Sequence, residues 1–310
     1  MTFNDVDALV ELYAAIAAAD HPEWTETREE IEEELHHSWI DLAADSVIAE
    51  ADGEIVATGL QIATPDPETI VRSIAFGGVR PSHRGRGIGL TLTEWHRARG
   101  RQQLAASDLD LPGWLMFYVD ERNTSQMRLA DRLGLPLVRY FTKMERDLAL
   151  DIPDLALPDG LELAIPTAAD SARILDAKNN SFRDHWGSQP STEEGWNSMM
   201  GQPTSRFDLS VIALEGDTVV GFVMTQVNPD DFVLQGYAGG YIPLVGVTRA
   251  WRRKGVAPAL LAAAFRLYRA EGHEKVSLDV DSENPSGALS LYTGMGFVPD
   301  TRSVAFVEEF

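Results

Sequence analysis

"VGVTRAWRRKGVAPALLAAAF", Val245 to Phe265, sets three cations and a glycine between two apolar stretches. The stretch "IPLVGV" is apolar and β-branched, which predicts a buried strand. "APALLAAAFRLYRAEG" is helical in composition and predicts a helix that stops at Gly272. Arg252, Arg253, Lys254 and Gly255 therefore occupy the loop that enters a helix. Backbone N–H groups at such an entry have no intrahelical acceptor, and together with the helix dipole they form an anion site. Gly255 allows a tight turn and a close approach of the backbone to that anion. The expected ligand is a phosphate or pyrophosphate.

A near-copy lies upstream, "GGVRPSHRGRGIGLTLTEWH" from Gly77 to His96. Arg84 aligns with Arg252, Gly87 with Gly255 and Gly89 with Ala257, without gaps. Other signals repeat in the same order. "VIAEADGEIVATGLQI" and "VIALEGDTVVGFVMTQ" each read as two strands around a tight turn. After each basic-glycine segment come a long helix, a short strand ("WLMFYVD"; "KVSLDVD"), an asparagine (Asn123; Asn284) and a helix closing on Gly134 or Gly296. The chain reads as a tandem duplication of one α/β unit with a mixed sheet, over residues 1–150 and 151–310. The join, "RDLALDIPDLALPDG", is expected to be extended, because its prolines oppose a helix. The second unit opens with a strand, "LELAIPT", whereas the first starts at its helix and lacks that strand. "SVAFVEEF" near residue 310, or part of the linker, is a candidate to complete the first sheet.

Composition narrows the function classes. The 310 residues carry a net charge of −22, which opposes broad contact with nucleic-acid phosphate and weakly favours a cationic substrate. No run reaches the roughly 18 apolar residues of a membrane span, and the start lacks the pattern of a secretion signal. A cytoplasmic protein, monomeric or homodimeric, without membrane or nucleic-acid partners, is expected. The absence of cysteine excludes a thiolate metal site and a cysteine nucleophile, so no metal is expected and any acyl transfer must be direct.

Two common nucleotide fingerprints fail. From Gly85 the glycines fall at Gly85, Gly87 and Gly89, and Leu90 stands where the dinucleotide pattern needs its last glycine. Neither copy has the Gly-Lys-Ser/Thr of a P-loop. Both copies fit Arg-x-x-Gly-x-Gly/Ala after a strand: "RGRGIG" (Arg84 to Gly89) and "RRKGVA" (Arg252 to Ala257). This resembles the GNAT acetyltransferase superfamily, and "NPSGALSLYTGMGF" resembles that family's closing motif. The tandem layout is similar to mycothiol synthase-like actinobacterial acetyltransferases.

The resemblance implies two GNAT-type domains and acetyl-CoA as cosubstrate. It places the pyrophosphate on backbone N–H groups of Arg252, Arg253, Lys254, Gly255, Val256 and Ala257, and the pantetheine arm along Val245 and Val247, where adjacent strands splay. Asn284 joins the cofactor set, and Val79, Arg84, Gly85, Arg86, Gly87 and Gly89 are the counterparts in the first half. The family's acid is a tyrosine four residues before the closing glycine, which here is Tyr292, while the first half has Ala130. Chemistry is therefore expected in the second half, as N-acetylation of a small amine-bearing acceptor. Non-catalytic binding of an acyl-CoA and O-acylation are the alternatives.

The base is less direct. In the mycothiol synthase pattern a glutamate precedes the motif on the incoming strand, and Tyr241 stands at the matching position. Tyr241 is kept with Tyr292 in the catalytic set: either it orients a water or lines the pocket, or the base comes from another segment. Asp279 and Asp281 share one strand face and are candidates to meet the pocket. Asp184, His185 and Trp186 of "FRDHWG" lie where this superfamily lids its acceptor site. Trp95, Trp114 and Phe117 are expected in the core of the first half.

Overall fold

In the computed structural model, residues 1–284 and 287–310 are described, and the chain divides into two compact units. One comprises Met1–Tyr140 with Arg302–Phe310; the other is Phe141–Thr301.

The first unit opens with α1 (Val6–Asp20), α2 (Arg28–Leu35) and a single turn, α3 (Leu42–Asp45). Thr27 and Glu30 cap α2 reciprocally, satisfying two backbone donors at its start. The hairpin β1 (Ser46–Ala51) and β2 (Glu54–Ala63) turns on Asp52 and Gly53, both at positive φ (53° and 82°), as a two-residue hairpin requires. Then follow β3 (Val71–Val79), α4 (Ile88–Ala105), β4 (Gly113–Asp120), α5 (Thr124–Arg132) and the start of β5 (Leu137–Asp147).

Val6, Leu9, Ile31 and Leu35 of α1 and α2 pack on Leu60 and Ile62 of β2. Gln61 between them points the other way, as strand alternation dictates, and bonds buried His96 on α4 (2.8 Å). On that face α5 brings Ala130 against Leu115, Phe117 and Val119 of β4. Phe117 is buried as expected, but Trp95 and Trp114 are only half-buried. The inward position on α4 belongs to His96 instead, one residue round the helix from Trp95.

The second unit repeats the plan. It contains β6 (Glu162–Ala164), α6 (Ser171–Ser181), α7 (Glu193–Gly201), β7 (Val211–Glu215), β8 (Thr218–Gln226), a short α8 (Asp230–Gln235), β9 (Gly239–Val247), α9 (Val256–Glu271), β10 (Lys275–Asp281), α10 (Ala288–Gly294) and β11 (Val298–Glu309) up to the boundary. Ile174 and Trp196 of α6 and α7 cover Ile212 and Phe222, while Leu260, Ala264 and Phe265 of α9 cover the opposite face. Each sheet is thus buried between helical layers.

The outer strands are exchanged. In the first unit, residues 303–309 of β11 run antiparallel to β4, Ser303 opposite Asp120 and Glu309 opposite Trp114. In the second, residues 141–147 of β5 run antiparallel to β10, Phe141 opposite Asp281 and Asp147 opposite Lys275. "SVAFVEEF" therefore does join the first sheet, but beside β4 rather than ahead of β1. The position of the missing opening strand stays unfilled among the described residues, where β1 is an edge. The exchanged strands are tightly held. Arg97 forks onto Glu308, with one arm at 2.8 Å. Arg146, only 1% exposed, reaches the carbonyls of Met295 (2.7 Å), Asp147 (3.0 Å) and Asp151 (2.8 Å), with its guanidinium over the Phe265 ring.

Candidate active site

Strands β9 and β10 pair in parallel from Gly239/Lys275 to Tyr241/Ser277 and then part, although β9 runs on to Val247 and β10 to Asp281. The gap continues into the loop that enters α9. There Arg253 has φ 60° and Gly255 φ 86°, both left-handed. This backbone turns successive N–H groups to one side, the geometry of an anion nest. The N–H groups of Arg253, Lys254, Gly255, Val256 and Ala257 find no acceptor among the described residues, and the next residue, Pro258, has none to offer. Five free donors in a row at a helix start fit a diphosphate. The first unit repeats the geometry: β3 and β4 part after Ala75/Phe117, and Gly85 and Gly87 have φ 75° and 90°. Arg253 thus holds, without glycine, the conformation that Gly85 holds in the other copy.

The leading arginine of each motif is a latch. The Arg252 side chain donates to the carbonyls of Val247 (3.3 Å) and Ser181 (2.7 Å) and to Asp184 (3.0 Å), while Nη2 of Arg249 donates to both oxygens of the same carboxylate (2.5 and 2.7 Å). The Arg249 and Arg252 guanidiniums hold the Asp184 carboxyl below the usual range. Arg84 does the same, donating to the Val79 carbonyl (3.0 Å) and to both oxygens of Asp20 (2.7 and 2.8 Å). In both units, then, these guanidiniums fix the turn and leave its backbone to face a ligand. The sequence carried a signal for this pairing: Asp20-His21 and Asp184-His185 recur, the first at the end of α1 and the second just beyond α6.

A cavity of about 670 Å³ occupies the gap in the second unit. It brings together Val245, Val247, Arg252, Arg253, Gly255, Val256, Ala257, Asn284, Asp184, His185, Asp281 and Tyr292 of the expected set. Tyr241, Lys254 and Trp186 do not line it. Lys254 folds over the Trp251 ring (4.5 Å), and Trp186 lies 6.2 Å from Phe141, centroid to centroid. Asp279, a candidate alongside Asp281, also lines it, and Phe141, Phe182 and Trp251 do so without having been singled out as its walls. In the first unit a hollow of about 330 Å³ gathers Asp20, Arg84, Arg122 and Asn123, while Ala130, at the position equivalent to Tyr292, is packed into the core. Arg122 there is forked onto Glu23 and Asp120.

Tyr292 is 8% exposed, set edge-on to Phe297, and its hydroxyl has no hydrogen-bond partner among the described residues. Burial pushes its phenol up to about 12, so it stays protonated at neutral pH. The Tyr241 hydroxyl donates to Asp279 (3.1 Å). Burial first, then the charge of Asp279, push the Tyr241 phenol far above the usual value, which keeps it a donor. Asp279 is open to water on one side, yet the surrounding concave wall raises its carboxyl, against the pull of Tyr241 and Lys143. Burial, then Arg252, lower the His185 imidazole, so it is neutral near pH 7.

The profile of the acetyltransferase (GNAT) family matches residues 9–135 and 172–297. The chain belongs to the GNAT family. It is an acetyltransferase of GNAT type, with two such domains in tandem. Mycothiol acetyltransferase of Nocardia farcinica is 29% identical over 274 residues, covering 85% of this chain and 82% of that protein. The enzyme of the same name from Streptomyces avermitilis is 30% identical over 235 residues, 74% of this chain and 70% of that one. Among solved structures, a GCN5-related N-acetyltransferase from Sphaerobacter thermophilus superposes with a TM-score of 0.72 at 27% identity, covering 100% of this chain and 94% of that one. A tandem GNAT protein from the clavulanic acid biosynthesis pathway (TM-score 0.70, 16% identity, 100% and 97% coverage) shares the fold. GNAT enzymes use acetyl-CoA. Among the described residues no group of three or more His, Cys, Asp or Glu is placed to hold a metal ion, and no helix is long and apolar enough to cross a membrane.

Proposed function

We propose that the second unit transfers an acetyl group from acetyl-CoA directly to the amine of a small acceptor, and that the first unit carries no chemistry. The observation that carries this reading is the shared cavity: Arg253, Gly255, Val256 and Ala257, whose backbone donors find no acceptor among the described residues, line one end, and the protonated hydroxyl of Tyr292, likewise without a partner among the described residues, lies in its wall. The diphosphate would rest on Arg253 to Ala257, with the pantetheine arm between the parted strands beside Val245 and Val247 and near Asn284. The neutral amine attacks the thioester carbon, the C–N bond forms and the C–S bond breaks. Tyr292 gives its proton to the departing sulfur. A thiol has a pKa of about 8.5, below that of this phenol. The donation is therefore coupled to return of a proton from the acetylated nitrogen, which is strongly acidic until it loses one. Tyr292 ends as it began.

In the first unit the same backbone turn persists, so Val79 and the segment from Arg84 to Gly89 retain the form of a cradle, but Ala130 offers no proton. Aromatic walls and the carboxylates Asp279 and Asp281 favour a cationic acceptor with an apolar or sugar face. The relatives' names make a mycothiol-type aminosugar the first class to try. His185 lines the acceptor end, and Trp186 supports the loop that carries it.

Calorimetry with acetyl-CoA, followed by incubation with glucosamine, cysteamine and spermidine and product mass measurement, tests the proposal. An amide one acetyl group heavier than the amine is expected. Thioester binding without turnover on any amine would make the protein a binder only, and a base-labile ester product would make it an O-acyltransferase.

A further inference from the structure

A GNAT reaction on an ammonium substrate needs a group to remove the first proton, and the position of the family's strand-borne glutamate is held by Tyr241, a phenol that cannot accept one here. Four groups in the cavity wall could accept it: Asp184, Asp281, His185 and Asp279. Asp184 is engaged by Arg249 and Arg252, which hold its carboxyl below the usual range and leave it a poor proton acceptor. Asp281 and His185 act on each other electrostatically, and His185 also feels Arg252, Asp184 and Lys178, on the side of the latch. Asp279 lies elsewhere. It projects from β10 opposite Lys143 of β5 and is held by Tyr241 of β9, which in turn is close enough to Tyr292 for the two phenols to act on each other. Asp279 is therefore the carboxylate tied to a tyrosine that interacts with the acid.

Resting on the transferase reading above, we infer that Asp279 is the general base of this site, and that Tyr241 is the positioning residue that holds it. The role belonging to β9 in the family's usual arrangement has moved one strand across, to β10, with Tyr241 bridging the distance by its hydroxyl. The ammonium of the acceptor gives a proton to the Asp279 carboxylate, directly or through one water. The neutral amine then attacks. The carboxylic acid formed releases its proton to solvent after the product leaves, so each turnover yields one amide, one thiol and one proton. The groups facing Asp279 set its affinity for protons. The protein wall raises it, and the Tyr241 hydrogen bond and the Lys143 charge lower it.

The test is the pH profile of kcat with acetyl-CoA and the most active amine of the panel, alongside acetyl-CoA affinity by calorimetry. Asp279→Asn should lower kcat at neutral pH by roughly a hundredfold or more. It should approach wild type as pH rises past the amine's own pKa, where no base is needed. Tyr241→Phe removes a donor that favours the carboxylate, so the acidic limb should move to higher pH; this arm stands even if Asp279→Asn fails to fold. A purely structural Tyr241 would lower the rate at every pH with the limb unmoved, and that result overturns the inference. So does an Asp279→Asn protein whose loss is uniform with pH, or absent, while the wild type is active. If the wild type acetylates no amine, the transferase reading itself fails, and the inference with it.

Discussion

Tyr292→Phe separates chemistry from binding and from folding. The Tyr292 ring is 8% exposed and meets Phe297 edge to face at 5.8 Å, a contact that phenylalanine keeps. The hydroxyl has no hydrogen-bond partner among the described residues, so its removal orphans no other group and stability should change by less than about 0.5 kcal/mol. What is lost is the proton delivered to sulfur. A positioned acid contributes about 10²- to 10⁴-fold, or roughly 3–5 kcal/mol of barrier. With the phenol pushed up to about 12, about one molecule in 10⁴ is ionised at pH 8, so wild-type kcat should show no alkaline fall from this group below pH 11. Thiol release is followed with a thiol-reactive chromophore, and the chain has no cysteine to add background. The expected result is a kcat lower by two to four orders of magnitude, with acetyl-CoA affinity and melting temperature unchanged. A Tyr292→Phe protein that turns over at the wild-type rate, or that loses acetyl-CoA binding in step with activity, refutes the role.

Three further perturbations test the surrounding structure. Asp184→Ala releases Arg249 and removes one of the bonds by which Arg252 fixes the turn entering α9; since Asp184 and Arg249 are exposed and Arg252 keeps the Val247 and Ser181 carbonyls, the melting temperature should hold while acetyl-CoA affinity, read by calorimetry, falls several-fold. Gly240→Ala places a methyl 2.1 Å from the Tyr268 ring and 2.8 Å from its hydroxyl, which donates to the carbonyls of Gln226 and Tyr241; a loss of about 1–3 kcal/mol is expected in urea denaturation. Burial lowers His96 to about 4, below its unfolded value near 6.5, so the unfolded chain binds the extra proton first as pH falls. Stability present above pH 6.5 should drop by roughly 2–3 kcal/mol on going to pH 4.5, and His96→Gln should flatten that part of the curve in thermal denaturation.

The repeated strand–turn–helix was legible because its requirements are local: a strand that ends, a backbone that turns left-handed, and a helix that begins. Even so, Arg253 shows that a glycine is not obligatory at a left-handed position of the turn that the preceding Arg252 latches. Tyr292 was singled out by the resemblance, from its spacing before Gly296, and the structure sets it in the cavity wall. That "SVAFVEEF" could join the first sheet was legible, but its place beside β4 and the passage of "LVRYFTKMERD" into the second sheet were not, because alternation says which face is buried but not which strand lies alongside. Nor did charge alone reveal that Arg84 and Arg252 are latches; that took the carboxylates of Asp20 and Asp184, far away in sequence and adjacent in space. The Asp279–Tyr241 contact was hidden for the same reason, since parallel strands meet only after a long crossover.

Exchange of the outer strands has a consequence for biogenesis. On the ribosome, β4 emerges long before residues 303–309, its neighbour in the finished sheet. The first unit must wait, one edge of its sheet unpaired, while all of the second is synthesised. A gene split near codon 150 would leave each product short of a strand, and co-expressed fragments should recover native behaviour only by finding one another.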